Sequence, residues 1–443
     1  MNPIPSHIID KLSSLGQSPL LDTLRSLPAS KQSFLLTQIA TLDFFQLKNC
    51  IDLLSNPVAH KTEQISPLQK VARSGNLLDV QEGQKLIAEG RCGAIILAGG
   101  QGTRLNFDGP KGMFPVTLVK HKSLFQLFAE KTVAASKQVG LPLSIAIMTS
   151  PQNDSVTREF FAENHYFGLS STQLSFFSQG MFPLLDADRH LFLDEEEKIV
   201  QGPDGNGAVF FHLVQKGIWK LWQSKGIQYA NVVLIDNPLA DPFDADLVGF
   251  HARRQCDITI KGCLRENASE KVGLLVIKNG KIQVAEYSEI PPEERNAYLP
   301  DGSLKYPYAN LSLFCLGMEI IKSCAEKQHL MPWHAASKKF QNKDVWKFEK
   351  FIFDLLSFFN KTEVLIYPRE ECFAPLKNKT GPDSLTTVQA ALQHNDRRVI
   401  EKITGIKPPE KTFELSQDFL YPTPKLLKDW QGRFLPNDAY IEP

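Results

Sequence analysis

The chain has no surplus of either charge: Lys and Arg together number 49 and Asp and Glu 49, among 443 residues. Without a basic excess the electrostatic footprint of a nucleic-acid-binding protein is missing, so no nucleic-acid partner is expected. Long apolar runs are missing too. No stretch approaches the roughly 18 consecutive apolar residues of a spanning helix, and no charged-then-apolar leader opens the sequence, so no membrane association is expected. The seven cysteines form no C-x-x-C pair and leave one over, which fits reduced thiols and a cytoplasmic setting. The ten histidines show neither H-x-x-x-H nor H-E-x-x-H spacing, so no zinc site is expected. No Ser-His-Asp or Cys-His constellation, internal repeat or low-complexity tract stands out.

What is present is ample core material, with 42% hydrophobic residues and 29 Phe. The length suggests two or three domains. Residues 1–90 read as short helices, with apolar positions at helical spacing (Ile8, Ile9, Leu12, Leu15, then Phe34, Leu35, Ile39) and breaks at Pro19, Pro28, Pro57 and Pro67. We expect a helical N-terminal domain over 1–90, a catalytic domain over 91–375 and a small C-terminal domain over 376–443.

The most informative stretch is Ala94–Val116, AIILAGGQGTRLNFDGPKGMFPV. Its opening apolar run suits a buried strand of a parallel sheet. Gly99, Gly100 and Gly102 then strip the turn of side chains, so that backbone N–H groups can gather around phosphate oxygens. Arg104 and Lys111 add a forked and a point cation. Neither common phosphate loop fits. Nothing matches G-x-x-x-x-G-K-[ST], and Leu105 stands where G-x-G-x-x-G needs its third glycine. After this loop, Ser123-Leu-Phe-Gln126 has capping-box spacing for a helix to about Val139. Strands are expected at Ser144–Met148, Asn231–Ile235, Asp257–Cys263 and Leu274–Ile277, and a helix at Ala208–Gln215.

The blocks Leu97–Leu105 and Pro110–Met113 resemble the signature of the UDP-sugar pyrophosphorylases, in particular their UDP-N-acetylglucosamine pyrophosphorylase branch. Asn106 stands where that branch has glycine. Further blocks agree: Phe176–Met181, Pro203–Gly207, Asn231–Asn237, Val284–Glu289, Phe348–Asp354 and Phe373–Asn378, while Ala208 and Ala309, the latter just before Asn310, also stand where the family has glycine. The resemblance covers roughly 93–392. It implies an α/β fold with a central mixed, mostly parallel Rossmann-like sheet, the nucleotide-diphospho-sugar transferase fold. It further implies Leu97, Gly99, Gly100, Gly102, Gln179, Gly205 and Asp236 at the nucleotide. Asn206, Gly273, Glu286, Tyr287, Asn310, Phe351 and Phe353 would lie at the sugar, Phe351 and Phe353 on a helix. Arg104, Lys111 and Lys377 would serve the reacting phosphates. Read as chemistry, Gln179 is an amide that suits an imide edge. A carboxylate at a strand end, Asp236, suits Mg²⁺, which takes few protein ligands.

These readings lead to a UTP-dependent sugar-1-phosphate uridylyltransferase that releases pyrophosphate, with N-acetylglucosamine 1-phosphate as the expected sugar. Glucose 1-phosphate is the alternative substrate, and a non-catalytic nucleotide-sugar sensor the alternative class. The sequence leaves the oligomeric state open.

Overall fold

Residues Cys92 to Leu97 carry no polar side chain other than a thiol, so a strand made from them must be covered on both faces. In the computed structural model they form such a strand, buried at every position. The structure describes residues 3–55, 65–287 and 289–443. The strand belongs to an eleven-stranded sheet. In chain order its members are β1 Ile65–Pro67, β2 Ala72–Arg73, β3 Cys92–Leu97, β4 Ser144–Thr149, β5 Leu174–Ser178, β6 Tyr229–Leu234, β7 Ile258–Leu264, β8 Leu274–Lys278, β9 Lys281–Ala285, β10 Tyr308–Gly317 and β11 Thr362–Tyr367. The main path runs β2-β11-β7-β10-β6-β3-β4-β5, and along it only β10 is antiparallel to its neighbours. The chain leaves β3 toward β4 and β5 on one side and returns as β6 on the other. The loop after β3 therefore opens at a switch point of the sheet, where open α/β sheets bind ligands.

Local sequence explains the helices beside it. Ser123 caps the helix Leu124–Val139 by accepting from Gln126 N at 3.1 Å, and Gly140 ends it at φ 75°. The reciprocal half of the expected capping box does not form, because the Gln126 amide turns to Glu130 at 2.8 Å. The helices Leu77–Ala88 and Ala245–Arg254 cross through two glycines. A Cβ on Gly83 would fall 1.7 Å from Ala245 O, and one on Gly249 1.8 Å from Asp79 O.

By packing, the chain forms two units. One comprises Met1–Glu63, Gly180–Ala208 and Leu330–Phe351; the other comprises Gln64–Gln179, Val209–His329 and Ile352–Pro443. This division differs from three consecutive segments. The N-terminal helices Ser6–Ser14, Ser18–Ser26, Ala29–Ala40 and Phe44–Ser55 share a core with Phe182, Leu185, Ile199 and Phe348, which come from far along the chain. Pro19 and Pro28 stand at helix starts, Pro67 ends β1, and Pro57 lies outside the described residues.

The helix expected over Phe348–Asp354 is not formed. Gln341 and Asn342, at φ 47° and 63°, make a tight hairpin turn that pairs Lys343–Glu349 with His334–Phe340. A 3-10 turn follows only from Ile352. In the larger unit, residues of the C-terminal stretch have a small core of their own, with Ile400, Phe413, Phe419 and Trp430 around the helix Leu385–Thr404. All seven cysteines are buried and unpaired. No helix among the described residues is long and apolar enough to cross a membrane.

Asp396 on that C-terminal helix accepts from Leu415 N at 3.1 Å, and burial pushes its carboxyl up to about 8. The folded chain thus keeps a proton there that the unfolded chain releases near pH 4. Between about pH 4 and 8 this group lowers stability as pH rises, because the native state binds more protons. Asp396→Asn keeps the acceptor and cannot ionise. Thermal melts should show a shallower decline in Tm from pH 5 to 8.5 for the variant than for the parent; parallel curves would show that Asp396 ionises normally.

Candidate active site

The loop after β3 is held by its own carbonyls. Asn153 Nδ2 donates to Ala98 O at 3.2 Å and Gly100 O at 3.5 Å, and Lys111 N donates to Gly100 O at 3.0 Å. The three glycines serve different ends. Gly102 N–H bonds Gly109 O at 2.9 Å, and Phe107 packs 2.8 Å from where a Gly102 Cβ would sit. Its N–H is thus spent inside the loop. Gly99 lies under the Gln179 amide, 2.8 Å from its would-be Cβ. Gly100 is exposed, and a Cβ there would meet nothing within 4 Å. Among the described residues, only Gly99 and Gly100 of the three keep N–H groups outside the loop's own bonds. Leu97 is buried at the end of β3 as the loop's anchor.

Two lysine–aspartate pairs and an exposed arginine lie at this edge. Lys111 Nζ stands 3.4 Å from Asp236 Oδ2, both side chains mostly buried. Asp236 Oδ1 is buried and accepts no hydrogen bond. Leu376 N donates to Asp236 O at 2.8 Å, which lays the segment before Lys377 along the end of β6. Lys377 turns to Asp383 (3.7 Å), beside the Phe373 ring. Burial raises the Asp383 carboxyl, with the Lys377 cation opposing. Arg104, on the 3-10 turn Thr103–Leu105, is exposed and has no polar partner among the described residues.

The residues expected at the sugar form a second cluster in the same unit. Asn310 N donates to Gly273 O at 2.8 Å, and a Cβ on Gly273 would meet Glu286 Oε1 at 3.4 Å and Asn310 Cβ at 3.8 Å. A bulge opposite Lys261-Gly262, with Ser312 at φ 53°, re-aims β10 next to Asn310. Tyr287 is half-buried; its carbonyl accepts from Arg295, whose guanidinium lies 5.8 Å from the ring centre. Ser288 lies outside the described residues. Phe353 is buried in its 3-10 turn.

Gly205, Asn206 and Phe351 belong to the other unit. Gly205 has φ 87°, and its would-be Cβ lies 2.3 Å from Lys350 O. Gly207 N bonds Lys350 O at 2.9 Å and Lys350 N bonds Asp204 O at 2.8 Å. The turn therefore grips the backbone of Lys350, a buried cation over the Trp333 ring at 4.5 Å. Asn206 is half-buried, and Phe351 packs its ring on His334 at 4.9 Å.

Sequence reasoning missed Asn153, Asn237 and Asp383. Asn153 was visible only as part of a polar run after β4, and its target carbonyls lie more than fifty residues away. Among the described residues no group of three His, Cys, Asp or Glu could hold a metal ion, so any ion here would rest mainly on ligand oxygens.

The sequence matches the profile of the family described as UTP--glucose-1-phosphate uridylyltransferase over residues 44–420. It is 30% identical over 413 residues to UDP-N-acetylglucosamine diphosphorylase 1 of Arabidopsis thaliana, covering 87% of this chain and 81% of that one. To UDP-N-acetylglucosamine pyrophosphorylase of Saccharomyces cerevisiae it is 31% identical over 404 residues, with 83% and 84% covered. The solved uridine diphosphate N-acetylglucosamine pyrophosphorylase of Trypanosoma brucei, in complex with inhibitor, superposes with a TM-score of 0.81 at 25% identity, covering 100% of this chain and 99% of that chain.

Gly205→Ala should destabilise the protein by roughly 1–3 kcal/mol, from the left-handed backbone and the clash with Lys350 O. A urea midpoint equal to the parent's would mean that the turn relaxes without cost.

Proposed function

The chain belongs to the UTP--glucose-1-phosphate uridylyltransferase family, and on that premise we propose a UTP-dependent sugar-1-phosphate uridylyltransferase that makes UDP-N-acetylglucosamine and pyrophosphate. One observation carries the chemistry: Lys111 and Asp236 pair at 3.4 Å beside the glycine loop, with Asp236 Oδ1 buried and unbonded. A buried carboxylate oxygen without a partner is costly unless something positive completes it.

In the reaction an oxygen of the sugar 1-phosphate attacks the α-phosphorus of UTP. The bond from that phosphorus to the bridging oxygen breaks, and pyrophosphate leaves in line. Such a transfer needs positioning and charge stabilisation rather than a covalent intermediate. Gly99 and Gly100 offer N–H groups to phosphate oxygens, and Arg104 extends from the same loop. Lys111 neutralises charge that moves onto the leaving group, and Lys377 supplies a second cation by exchanging Asp383 for phosphate. Gln179, fixed against Gly99, reads the uracil edge. Glu286 and Asn310 take sugar hydroxyls, and Tyr287, held by Arg295, faces the acetyl group. Through the family resemblance we assign Phe353, in the larger unit, to the sugar; for the smaller unit the resemblance implies a nucleotide contact at Gly205 and sugar contacts at Asn206 and Phe351. Asp236 fits Mg²⁺ as a single carboxylate ligand, and the bound ion would neutralise triphosphate charge.

A coupled pyrophosphate-release assay with UTP and a panel of sugar 1-phosphates tests the reading. N-acetylglucosamine 1-phosphate should be preferred over glucose 1-phosphate by about tenfold to thirtyfold, the worth of one buried acetyl methyl against an aromatic face. Tyr287→Ala should erase that preference and leave glucose 1-phosphate nearly untouched. A parent enzyme that favours glucose 1-phosphate would reassign the sugar, and UTP binding without turnover on any sugar would leave a nucleotide-sugar sensor.

The ion pair predicts two different defects. Lys111→Ala should slow turnover about a hundredfold at every Mg²⁺ concentration. Asp236→Asn should raise the Mg²⁺ needed for half-maximal rate, as well as slowing it. Superimposable Mg²⁺ titrations for parent and Asp236→Asn would give Asp236 a structural role.

A further inference from the structure

Asn237 follows Asp236 directly and is 1% exposed. Both halves of its amide are spent on one short segment. Nδ2 donates to Cys372 O at 2.7 Å, and Oδ1 accepts from Ala374 N at 3.0 Å. The next bond in the series is Leu376 N to Asp236 O at 2.8 Å. Three consecutive hydrogen bonds thus lace residues 372–376 to the turn that carries Asp236, and Lys377 is the first residue past the lacing. Pro375 lies within it and has no N–H of its own to offer, so the side-chain amide does work that backbone pairing cannot do there. Beyond Lys377, the N–H groups of Lys377 and Asn378 both donate to Asp383 O, at 2.7 and 3.0 Å. The backbone of Lys377 is thereby fixed from both sides while its ammonium stays free to exchange partners.

We propose that Asn237 is a positioning residue: its buried amide sets the register of residues 372–376 against the end of β6, so that the Lys377 ammonium and the Asp236 carboxylate address the same phosphate chain. The proposal rests on the reading of Lys377 and Asp236 given above. Asn237 is 1% exposed, and both ends of its amide are bonded to residues 372 and 374 rather than open to substrate. Its effect must pass through Lys377, and that makes it separable from a merely structural asparagine.

The test is a double-mutant cycle on the full chain, with steady-state turnover of UTP and N-acetylglucosamine 1-phosphate as one readout and amide hydrogen exchange as the other. Asn237→Ala should lower kcat by about tenfold to a hundredfold, the range seen when a supporting partner of a functional group is lost, with a smaller change in KM for the sugar phosphate. In the Lys377→Ala background the same change should have little further effect, because the lysine it positions is gone. Exchange at Ala374 and Leu376 should accelerate in Asn237→Ala. Multiplicative effects of the two substitutions on kcat, or unchanged exchange at those amides, would overturn the proposal. Asn237→Asp keeps the acceptor for Ala374 N and loses the donor to Cys372 O. It should fall between parent and Asn237→Ala in kcat, and it supplies the comparison if the alanine variant does not fold; Asn237→Asp at full parental rate would also overturn the role. Near-normal turnover of Lys377→Ala alone would instead remove Lys377 from the mechanism, a result distinct from failure of the Asn237 link.

Discussion

The register between β3 and β6 is the constraint on which the edge that carries the glycine loop, Lys111 and Asp236 depends. Leu97 pairs with Leu234, so the glycine loop and Asp236 leave the sheet at the same height on adjacent parallel strands. Both strands are buried along most of their length, and Asn231 of β6, buried and donating to Pro242 O at 3.2 Å, would be turned to the other face by a slip of one residue. With the register set, Lys111 reaches Asp236 and Asn153 reaches the loop carbonyls without any strained backbone among Gly99, Gly100 and Gly102. The charges are then held at the end of buried central strands, which under the proposed function limits reorganisation during the reaction.

A second layer of bonds turns the strand end into a frame for a distant part of the chain. Asn237 and the carbonyl of Asp236 hold residues 372–376, which are separated from them by more than a hundred positions. The closure entropy of so long a connection is not repaid by one hydrogen bond. It is repaid by the core in which Cys372 and Leu376 are fully buried among residues of the sheet. Packing brings the segment in, and the hydrogen bonds choose its register. The sugar cluster is built by the same logic, with the bulge in β10 bending the backbone so that Asn310 meets Gly273 while Leu311 and Leu313 stay buried.

What could be read from the sequence was local or motif-borne. The strands at Cys92–Leu97, Ser144–Thr149 and Tyr229–Leu234 announced themselves as apolar runs, and Ser123 marked the start of a helix. The blocks around Gly99, Lys111 and Asp236 were legible in residue type and spacing, and the block around Lys377 through the family resemblance. What was not legible depended on partners far along the chain. Gly83 and Gly249 look like helix weaknesses until the two helices cross through them. The hairpin turn at Gln341-Asn342 overrode a helical expectation for Phe348–Asp354, because pairing with His334–Phe340 decided the backbone. No local pattern shows that Phe182 and Phe348 share a core with the N-terminal helices.

The same structural detail bears on the three positions where this sequence departs from its family's blocks. Asn106 replaces a glycine and sits at φ 56°, a left-handed position that asparagine tolerates better than most residues. Ala208 is buried just ahead of the helix Val209–Gln215, with no positive φ to satisfy. Ala309 lies inside β10, fully buried and paired with Cys263 and Leu274, so its methyl joins the core while the next residue, Asn310, keeps its bond to Gly273. None of the three substitutions asks the backbone for a conformation its residue refuses. The loop and the β10 bulge keep their courses, so under the proposed function selectivity between sugars falls to side chains rather than backbone, with Tyr287 the one proposed here.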